Sequence, residues 1–435
     1  MNVIVIGAGY VGLVAACCLA NSGHQVTCVE RNPVRLNLLQ KGISPILEKD
    51  MEDLLCWVLT LRRLSFAASL PAPVEADAVI IAVGTPSLPN GATDLSDVYT
   101  ICAELAEAVT GPVTVVMKST VPPGTGIKLT RYFRSTPITY ASNPEFLREG
   151  QAIEDWLHPS RIVIGTDDQQ ASELVERLYA GVDAPVIVTD ITSAELIKYS
   201  SNAFLVTKIS FINEIANYCE LVDANIEDVA RGIGLDPRIG PHFLRAGLGY
   251  GGSCFPKDAR ALDFYGLNSG YDFRLLKSTI EVNTKQLMLA SHKFRQLLGG
   301  LSEKDIAILG LAFKPYTDDI RESPGMNMIN LLHGEAGEIR IYDPAAMENA
   351  LPLLPPGIIL AADIYSATAG AHGICLVTDW PEFIDADWMA IKMSMQSPYV
   401  VLDGRNALNQ NEMLSLGFNY MGIGRRTGMA VGSRL

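Results

Sequence analysis

Along the first half of the chain, short apolar runs alternate with stretches that carry helical spacing or turn residues. The runs "NVIVIG" (2–7), "HQVTCVE" (24–30), "ADAVIIAVGTP" (76–86), "PVTVVMKST" (112–120) and "PITYAS" (137–142) have the composition of buried strands. The helical stretches between them imply crossovers, and crossovers imply a parallel sheet. "RIVIG" and "PVIVTD" extend this predicted sheet as far as Asp190. The pattern then changes. "SAELIKYSSNAFLVTKISFINEIANYCELVDA" is apolar at helical spacing and holds no Gly or Pro, which predicts one helix of about 30 residues. Further helical pattern continues to about Leu298. A second α/β pattern opens at "KDIAILGLAF" (304–313) and runs through "EIRIYDP" (338–344), "GIILAAD", "HGICLVTDW" (372–380) and "YVVLDGRN" (399–406). Its runs repeat the order of the first half: a glycine-ended strand, a strand ending in an acid, then further apolar strands. The expected fold is α/β, with two doubly wound, Rossmann-like parallel-sheet domains (1–190 and 299–435) joined by a central helical domain (191–298) that contains the long helix.

Composition narrows the function. The chain has 435 residues, too many for one compact core, and its 48% hydrophobic and 19% charged residues suit a large buried interior. A net charge of −14 argues against nucleic acid and against anionic membranes as partners, while leaving room for a local phosphate site. The opening "MNVIVIGAGYVGLVAACCLANSG" is not expected to be a signal peptide. No basic residue precedes its apolar stretch, and three glycines interrupt it. No segment offers the roughly 18 unbroken apolar residues of a membrane span. The eight cysteines show neither paired disulfide spacing nor a metal-ligand pattern, so no metal is expected and a reducing cytoplasm is the simplest compartment.

The candidate chemistry lies at strand ends. "GAGYVG" places Gly7, Gly9 and Gly12 in GxGxxG spacing between a strand and a helix, and Glu30 ends the next strand. Such glycines permit a tight turn and close approach of a pyrophosphate, and the acid accepts from ribose hydroxyls, which favours NAD over NADP. Glycines serving packing alone are the competing explanation, and Arg31 beside Glu30 weakens the NADP exclusion. "GTPS" (84–87) and "KSTVPPG" (118–124) follow later strands at the carboxyl edge, with Thr120 the residue expected to reach the reaction centre. "SNPEFLREGQAIEDW" reads as a helix with Asn143 as N-cap and Pro144 in its first turn, putting Glu145 and Glu149 on one face. An ordinary acidic first turn would look the same. Lys198 and Asn202 stand four apart in the long helix, either solvated or held in a dry cleft where the amine serves as base or oxyanion donor.

"GLGYGGSCFPKDAR" (247–260) carries the sharpest signal. "FPKDARALDFYG" predicts a helix, so Cys254 sits just ahead of its N-terminus beside Lys257 and Asp258. Exposed N–H groups and a nearby lysine stabilise a thiolate, which is what makes a cysteine a nucleophile. The glycines before it would leave a ligand room to approach. The alternative is a small buried apolar cysteine.

Together these motifs resemble the nucleotide-sugar 6-dehydrogenases, most of all the UDP-glucose branch. The resemblance rests on "GAGYVGLV", "STVPPGT", "SNPEFLREG", "ELIKYSSNAFL", "DPRIGPHFLRAGLGYGGSCFPKD" and "LGLAFKPYTDDIRESP" in the family's order. It implies two successive oxidations of the sugar C6 alcohol by two NAD, with Cys254 capturing the aldehyde and passing through a thioester. Lys198 would be the base of the alcohol step, and Asn202 would help hold the oxyanion. Asp258 and Thr120 would handle water, and Glu145 would be the acid/base of the thioester stages. The resemblance implies NAD contacts from Gly7, Gly9, Tyr10, Val11, Gly12, Glu30, Thr85, Ser119, Thr120, Glu149, Lys257 and Arg321. For the nucleotide sugar it implies Phe146, Leu147, Arg148, Glu149, Lys198, Asn202, Phe243, Tyr250, Gly251, Phe313, Lys314 and Arg405. Arg238 would reach across the interface of a homodimer, or of a higher homo-oligomer, in which the long helix pairs with its twin. Two departures stand out: the family's Glu-Pro-Gly appears as "LEKDM", keeping only Glu48, and Glu30 replaces the commoner aspartate. Within the family, GDP-mannose and UDP-N-acetylhexosamine remain alternative substrates, although Ser253 stands where the N-acetyl-sugar enzymes carry His. Outside it, a β-hydroxy-acid dehydrogenase or a non-catalytic NAD-dependent scaffold would share the glycines but have no use for Cys254.

Overall fold

The computed structural model describes residues 1–428, which form two compact units. The first comprises Met1–Ser201 with Arg260–Gly270, the second Asn202–Ala259 with the chain from Tyr271 onward.

The first unit is built on eight strands: β1 (Asn2–Ile6), β2 (Gln25–Val29), β3 (Leu64–Ala67), β4 (Ala78–Ile81), β5 (Val113–Met117), β6 (Ile138–Ser142), β7 (Ile162–Gly165) and β8 (Val186–Thr189). They form one sheet in the order β3-β2-β1-β4-β5-β6-β7-β8. Every pairing is parallel except β6 with β7, which meet antiparallel at Ser142 and Gly165. Both faces are covered, which is why these strands read as continuous apolar runs rather than alternating ones. In β1, Val3 and Val5 enter one core while Ile4 and Ile6 enter the other. The helix Tyr10–Asn21 is buried from Gly12 to Ala20.

The second unit holds a six-stranded sheet of β9 (Ile306–Leu309), β10 (Ile339–Tyr342), β11 (Ile358–Leu360), β12 (Gly373–Leu376), β13 (Val400–Asp403) and β14 (Asn419–Gly422). Its order, β11-β10-β9-β12-β13-β14, repeats that of the first six strands of the other sheet. The glycine turns repeat too. Gly7 and Gly310 both follow the first strand at positive φ, 97° and 102°. A Cβ on Gly12 would stand 1.8 Å from the Gly7 carbonyl oxygen, and one on Gly325 would stand 2.4 Å from that of Gly310. The duplication legible in the sequence is thus a duplication of topology and of strand–helix packing. The two copies differ between these glycines, since "LAFKPYTDDIRESP" occupies the second turn where the first has only "AGYV".

Helix Ile191–Val222 is a single element of 32 residues, as its uninterrupted pattern predicts, and it runs from the first unit into the second. The helix expected from Asn143 does not form there. Residues 143–148 have no regular structure and the helix is Ala152–Leu157, so Glu145 and Glu149 share no helical face. The Asn143 side chain is engaged elsewhere, and Gly150 adopts φ 80°, which breaks any helical run. The apolar pattern predicts neither β3 nor β14: "LSFA" is too short and too mixed, and "NYMG" too polar, to carry a strand period. Among the described residues no helix is long and apolar enough to cross a membrane.

The matched glycines make a prediction. Gly12→Ala and Gly325→Ala should each destabilise the chain by about 3 kcal/mol, because a methyl placed against a backbone carbonyl cannot be relieved by a rotamer change. Thermal unfolding checks this, and an unchanged midpoint in either variant would refute the close approach.

Candidate functional site

At the carboxyl edge of the first sheet, the three fingerprint glycines do three different jobs. A Cβ on Gly7 would meet the Ala82 carbonyl oxygen at 2.8 Å, one on Gly12 would strike Gly7, and one on Gly9 would meet nothing within 4 Å. Gly9 therefore faces open space at the helix start, the place where a pyrophosphate would take up the N–H groups. Glu30, buried at the end of β2, accepts from the Asn32 N–H through Oε1 at 2.7 Å, and no described residue donates to its Oε2. Arg31, half-exposed, is ion-paired with Glu104 at 2.5 Å. The residues present fit NAD.

Glu48, the survivor of the altered motif, is buried and accepts from Gly150 N (2.7 Å) and Ala152 N (2.9 Å). It caps the short helix, and the Gly150 N–H also reaches the Tyr10 hydroxyl. Ser119 donates to the Val83 carbonyl at 2.8 Å, with Thr85 buried nearby in sequence and Thr120 half-buried beyond it. Glu195, from the long helix, accepts from Gly124 N and Gly126 N at 2.6 Å each and so ties that helix to the loop behind Thr120. Burial pushes the Glu195 carboxyl up to about 7 despite those donors.

The centre of this unit is a buried ion pair. Lys198 Nζ lies 2.9 Å from Glu145 Oε1, both side chains almost fully enclosed, while Glu145 Oε2 accepts from Leu147 N at 2.5 Å. Burial pushes the Glu145 carboxyl up, but Lys198, the Leu147 N–H and Lys118 together hold it below the usual range. The Phe146 ring is flanked by Arg161 at 3.6 Å and Lys198 at 5.4 Å. Leu147 and Glu149 are half-buried, and Arg148 points outward into a bidentate pair with Asp155.

In the second unit, helix Phe255–Asn268 begins directly after Cys254, whose carbonyl accepts from Asp258 N at 2.9 Å. Cys254 is half-buried, and its Sγ lies 3.5 Å from Ser253 Oγ. Asp258 is buried, with one oxygen 2.5 Å from Lys257 Nζ and the other accepting from Asn202 Nδ2 at 2.6 Å. It therefore fixes the two groups on either side of it.

The glycines ahead of Cys254 do not leave the space expected of them. A Cβ on Gly249 would meet Asn283 Oδ1 at 2.6 Å, on Gly251 the Glu322 carbonyl at 2.3 Å, and on Gly252 the Phe313 ring at 2.9 Å. The chain's own segments pack where side chains would be. The loop is also held by amides that sequence reasoning missed. Asn213 accepts from Gly247 N, Gln286 donates to Gly247 O, and Asn283 both accepts from Tyr250 N and donates to its carbonyl. On a helical wheel such amides look like solvent-facing positions, so only the fold reveals them.

Other predicted residues are dispersed in this unit. Phe243 sits at φ 63° against Phe255, and Arg405 donates to the Val377 and Phe313 carbonyls, with Lys314 over the Phe313 ring. Arg321 pairs with Asp319, and Arg238, 87% exposed, pairs with Asp236. Asp343, the counterpart of Glu30, is saturated: it accepts from Leu311 N, Ala312 N, Ala345 N, Ala346 N and Trp380 Nε1.

Three models of the UDP-glucose/GDP-mannose dehydrogenase family match the chain in order: the NAD binding domain over residues 1–183, the central domain over 192–285 and the UDP binding domain over 307–410. UDP-glucose 6-dehydrogenase YwqF of Bacillus subtilis is 44% identical over 98% of both chains. The UDP-glucose 6-dehydrogenase of Rhizobium meliloti is 45% identical over 98% of this chain and 100% of its own. Among solved structures, a UDP-glucose dehydrogenase from Pyrobaculum islandicum matches at TM-score 0.91 and 38% identity, covering 98% of each chain. A UDP-D-ManNAc dehydrogenase from Pyrococcus horikoshii matches at 0.87 and 28%, covering 98% of this chain and 99% of its own.

The ion pair is open to test. Lys198→Met should cost about 3 to 5 kcal/mol by leaving the Glu145 carboxylate buried without its cation, and adding Glu145→Gln should recover most of that loss. A urea-unfolding double-mutant cycle measures it; strictly additive losses would mean the pair is not coupled.

Proposed function

The chain belongs to the UDP-glucose/GDP-mannose dehydrogenase family, and from that premise we propose that it oxidises UDP-glucose twice at C6 to UDP-glucuronate, using two NAD. The observation that carries the reading is Cys254, a half-buried thiol at a helix start, where the N–H groups favour a thiolate. Six of the other cysteines are buried, and burial pushes thiols such as Cys18 and Cys102 up to about 12, so they remain inert. When bound, NAD supplies the hydride acceptor for both oxidations.

Lys198 first passes a proton to Glu145 across their 2.9 Å contact, and the neutral amine then takes the proton of the C6 hydroxyl, Glu145 releasing its proton to solvent before the thioester stage. The Cys254 thiolate then adds to the aldehyde carbon, so the intermediate stays covalently held between the two oxidations. Loss of hydride from the thiohemiacetal leaves a thioester. Water, positioned by Thr120 and Asp258 and deprotonated by Glu145, hydrolyses it and frees the thiol. Asn202 and Lys198 donate to the oxyanions formed on the way. Gly7, Gly9, Tyr10, Val11 and Gly12 would hold the NAD pyrophosphate, with Glu30 on the ribose. Phe313, Lys314 and Arg405 would hold the nucleotide and sugar of the substrate. The relatives named as UDP-glucose dehydrogenases cited here are 38–45% identical to the chain, against 28% for the ManNAc enzyme, which favours glucose over N-acetylated sugars.

Three further elements complete the proposal. The chain is organised as domains 1–190, 191–298 and 299–435, a division to which the matched family regions lend support. It works in the cytoplasm, consistent with cysteines that show no paired disulfide spacing along the sequence. It acts as a homodimer through the long helix, where Phe204, Phe211 and Tyr218 recur every seven residues and are 65%, 49% and 61% exposed.

Two outcomes follow. The enzyme should release two NADH per UDP-glucose, and Cys254→Ser should stop uronate release; one NADH, or normal turnover in that variant, would sink the thioester route. Phe211→Glu should shift the chain to monomers in size-exclusion chromatography with light scattering, and an unaltered mass would remove the helix-paired dimer.

A further inference from the structure

Lys118 is the one buried amine in the first unit that the roles above leave idle. It stands directly after β5, enclosed, and its Nζ donates to Tyr179 Oη (2.7 Å), Asn143 Oδ1 (3.0 Å) and the Asn143 carbonyl (3.4 Å). Tyr179 in turn donates to Asn143 Oδ1 at 2.7 Å, and Asn143 Nδ2 donates to the Val163 carbonyl at 2.8 Å. The Trp156 and Tyr179 rings flank the amine at 5.2 and 5.5 Å. Every hydrogen-bond acceptor is neutral, and among the described residues no carboxylate lies within salt-bridge distance. A charge buried this way is expensive, and an apolar side chain of the same length would fill the space at lower cost.

The network explains what the charge can do. Asn143 is two residues before Glu145, so the three groups Lys118, Tyr179 and Asn143 anchor the non-helical segment that carries this carboxylate. We propose that Lys118 is a positioning residue for Glu145, anchoring its loop to the end of β5 and supplying, in addition to Lys198, a second positive charge that acts on the carboxylate. The proposal rests on the reading that Glu145 acts as acid/base in the thioester stages.

The charges facing this amine are few. Glu145 comes from the loop after β6 and Lys198 from the long helix, while Tyr179 and Asn143 contribute neutral dipoles. Burial pushes the Lys118 amine down to about 7, Glu145 opposes that shift and Lys198 adds to it. Reciprocally, Lys118 is among the groups that keep the Glu145 carboxyl low. Two cations thus share one anion, and removing the second leaves burial freer to raise the carboxyl.

The test uses the full-length enzyme with UDP-glucose and NAD across pH 5.5 to 9. Lys118→Met should lower kcat about tenfold, keep KM within about twofold, and move the acid limb of the kcat profile up by about half a pH unit or more. Lys118→Gln, which keeps a donor and loses the charge, should move the limb in the same direction and decides the matter if the Met variant does not fold. Tyr179→Phe keeps the charge and loosens the anchor, so it should lower kcat with the limb in place. A wild-type limb in both Lys118 variants overturns the proposal, as does an equal loss in all three variants with no shift. A fully active Glu145→Gln would instead remove the underlying role of Glu145 and so identify that reading as the failure.

Discussion

A carboxylate enclosed in protein must find a cation or a set of N–H donors, and the first unit is arranged around that requirement. Glu145 is buried against Lys198 and the Leu147 N–H, and Lys198 in its apolar helix is buried against Glu145. Their contact joins a loop at the carboxyl edge of the sheet to the long helix. One turn earlier, Glu195 makes the second attachment through the backbone of Gly124 and Gly126. Glu48 solves the same problem at the short helix with two N–H groups. Two of these buried acids therefore fix helix starts, Glu195 at Thr125–Tyr132 and Glu48 at Ala152–Leu157, and the third fixes the irregular segment after β6.

The second unit meets a comparable demand by close packing. Its cysteine loop is glycine-rich because Asn283, Glu322 and Phe313 occupy the space beside it, and its backbone is read by a set of amides. A loop fixed from both sides can present one half-buried sulfur at a helix start without relying on a ligand to order it. Asp258 adds to this rigidity by engaging Lys257 and Asn202 at once.

Much of this was legible in the sequence. Buried parallel strands are written as continuous apolar runs, so most of both sheets could be marked, and a helix of 32 residues without Gly or Pro announces itself. The cysteine could be singled out because proline and acid follow it at helix-start spacing. The segment after Asn143 misled because an Asn-Pro-Glu start satisfies every local capping rule, yet Lys118 and Tyr179 claim the asparagine through tertiary contacts. Lys118 itself carried a faint signal, a lone charge at the end of an all-apolar strand. Asn213, Asn283 and Gln286 carried none, because a helical pattern cannot distinguish an amide facing water from one facing a loop.

The repeated topology has one more consequence. Both copies end their second strand in an acid, but among the described residues none donates to Glu30 Oε2 while Asp343 already receives five N–H donors. A ribose diol offered to Asp343 would find every lone pair spoken for. The two copies therefore share a topology while ending their second strands in acids of different hydrogen-bonding state.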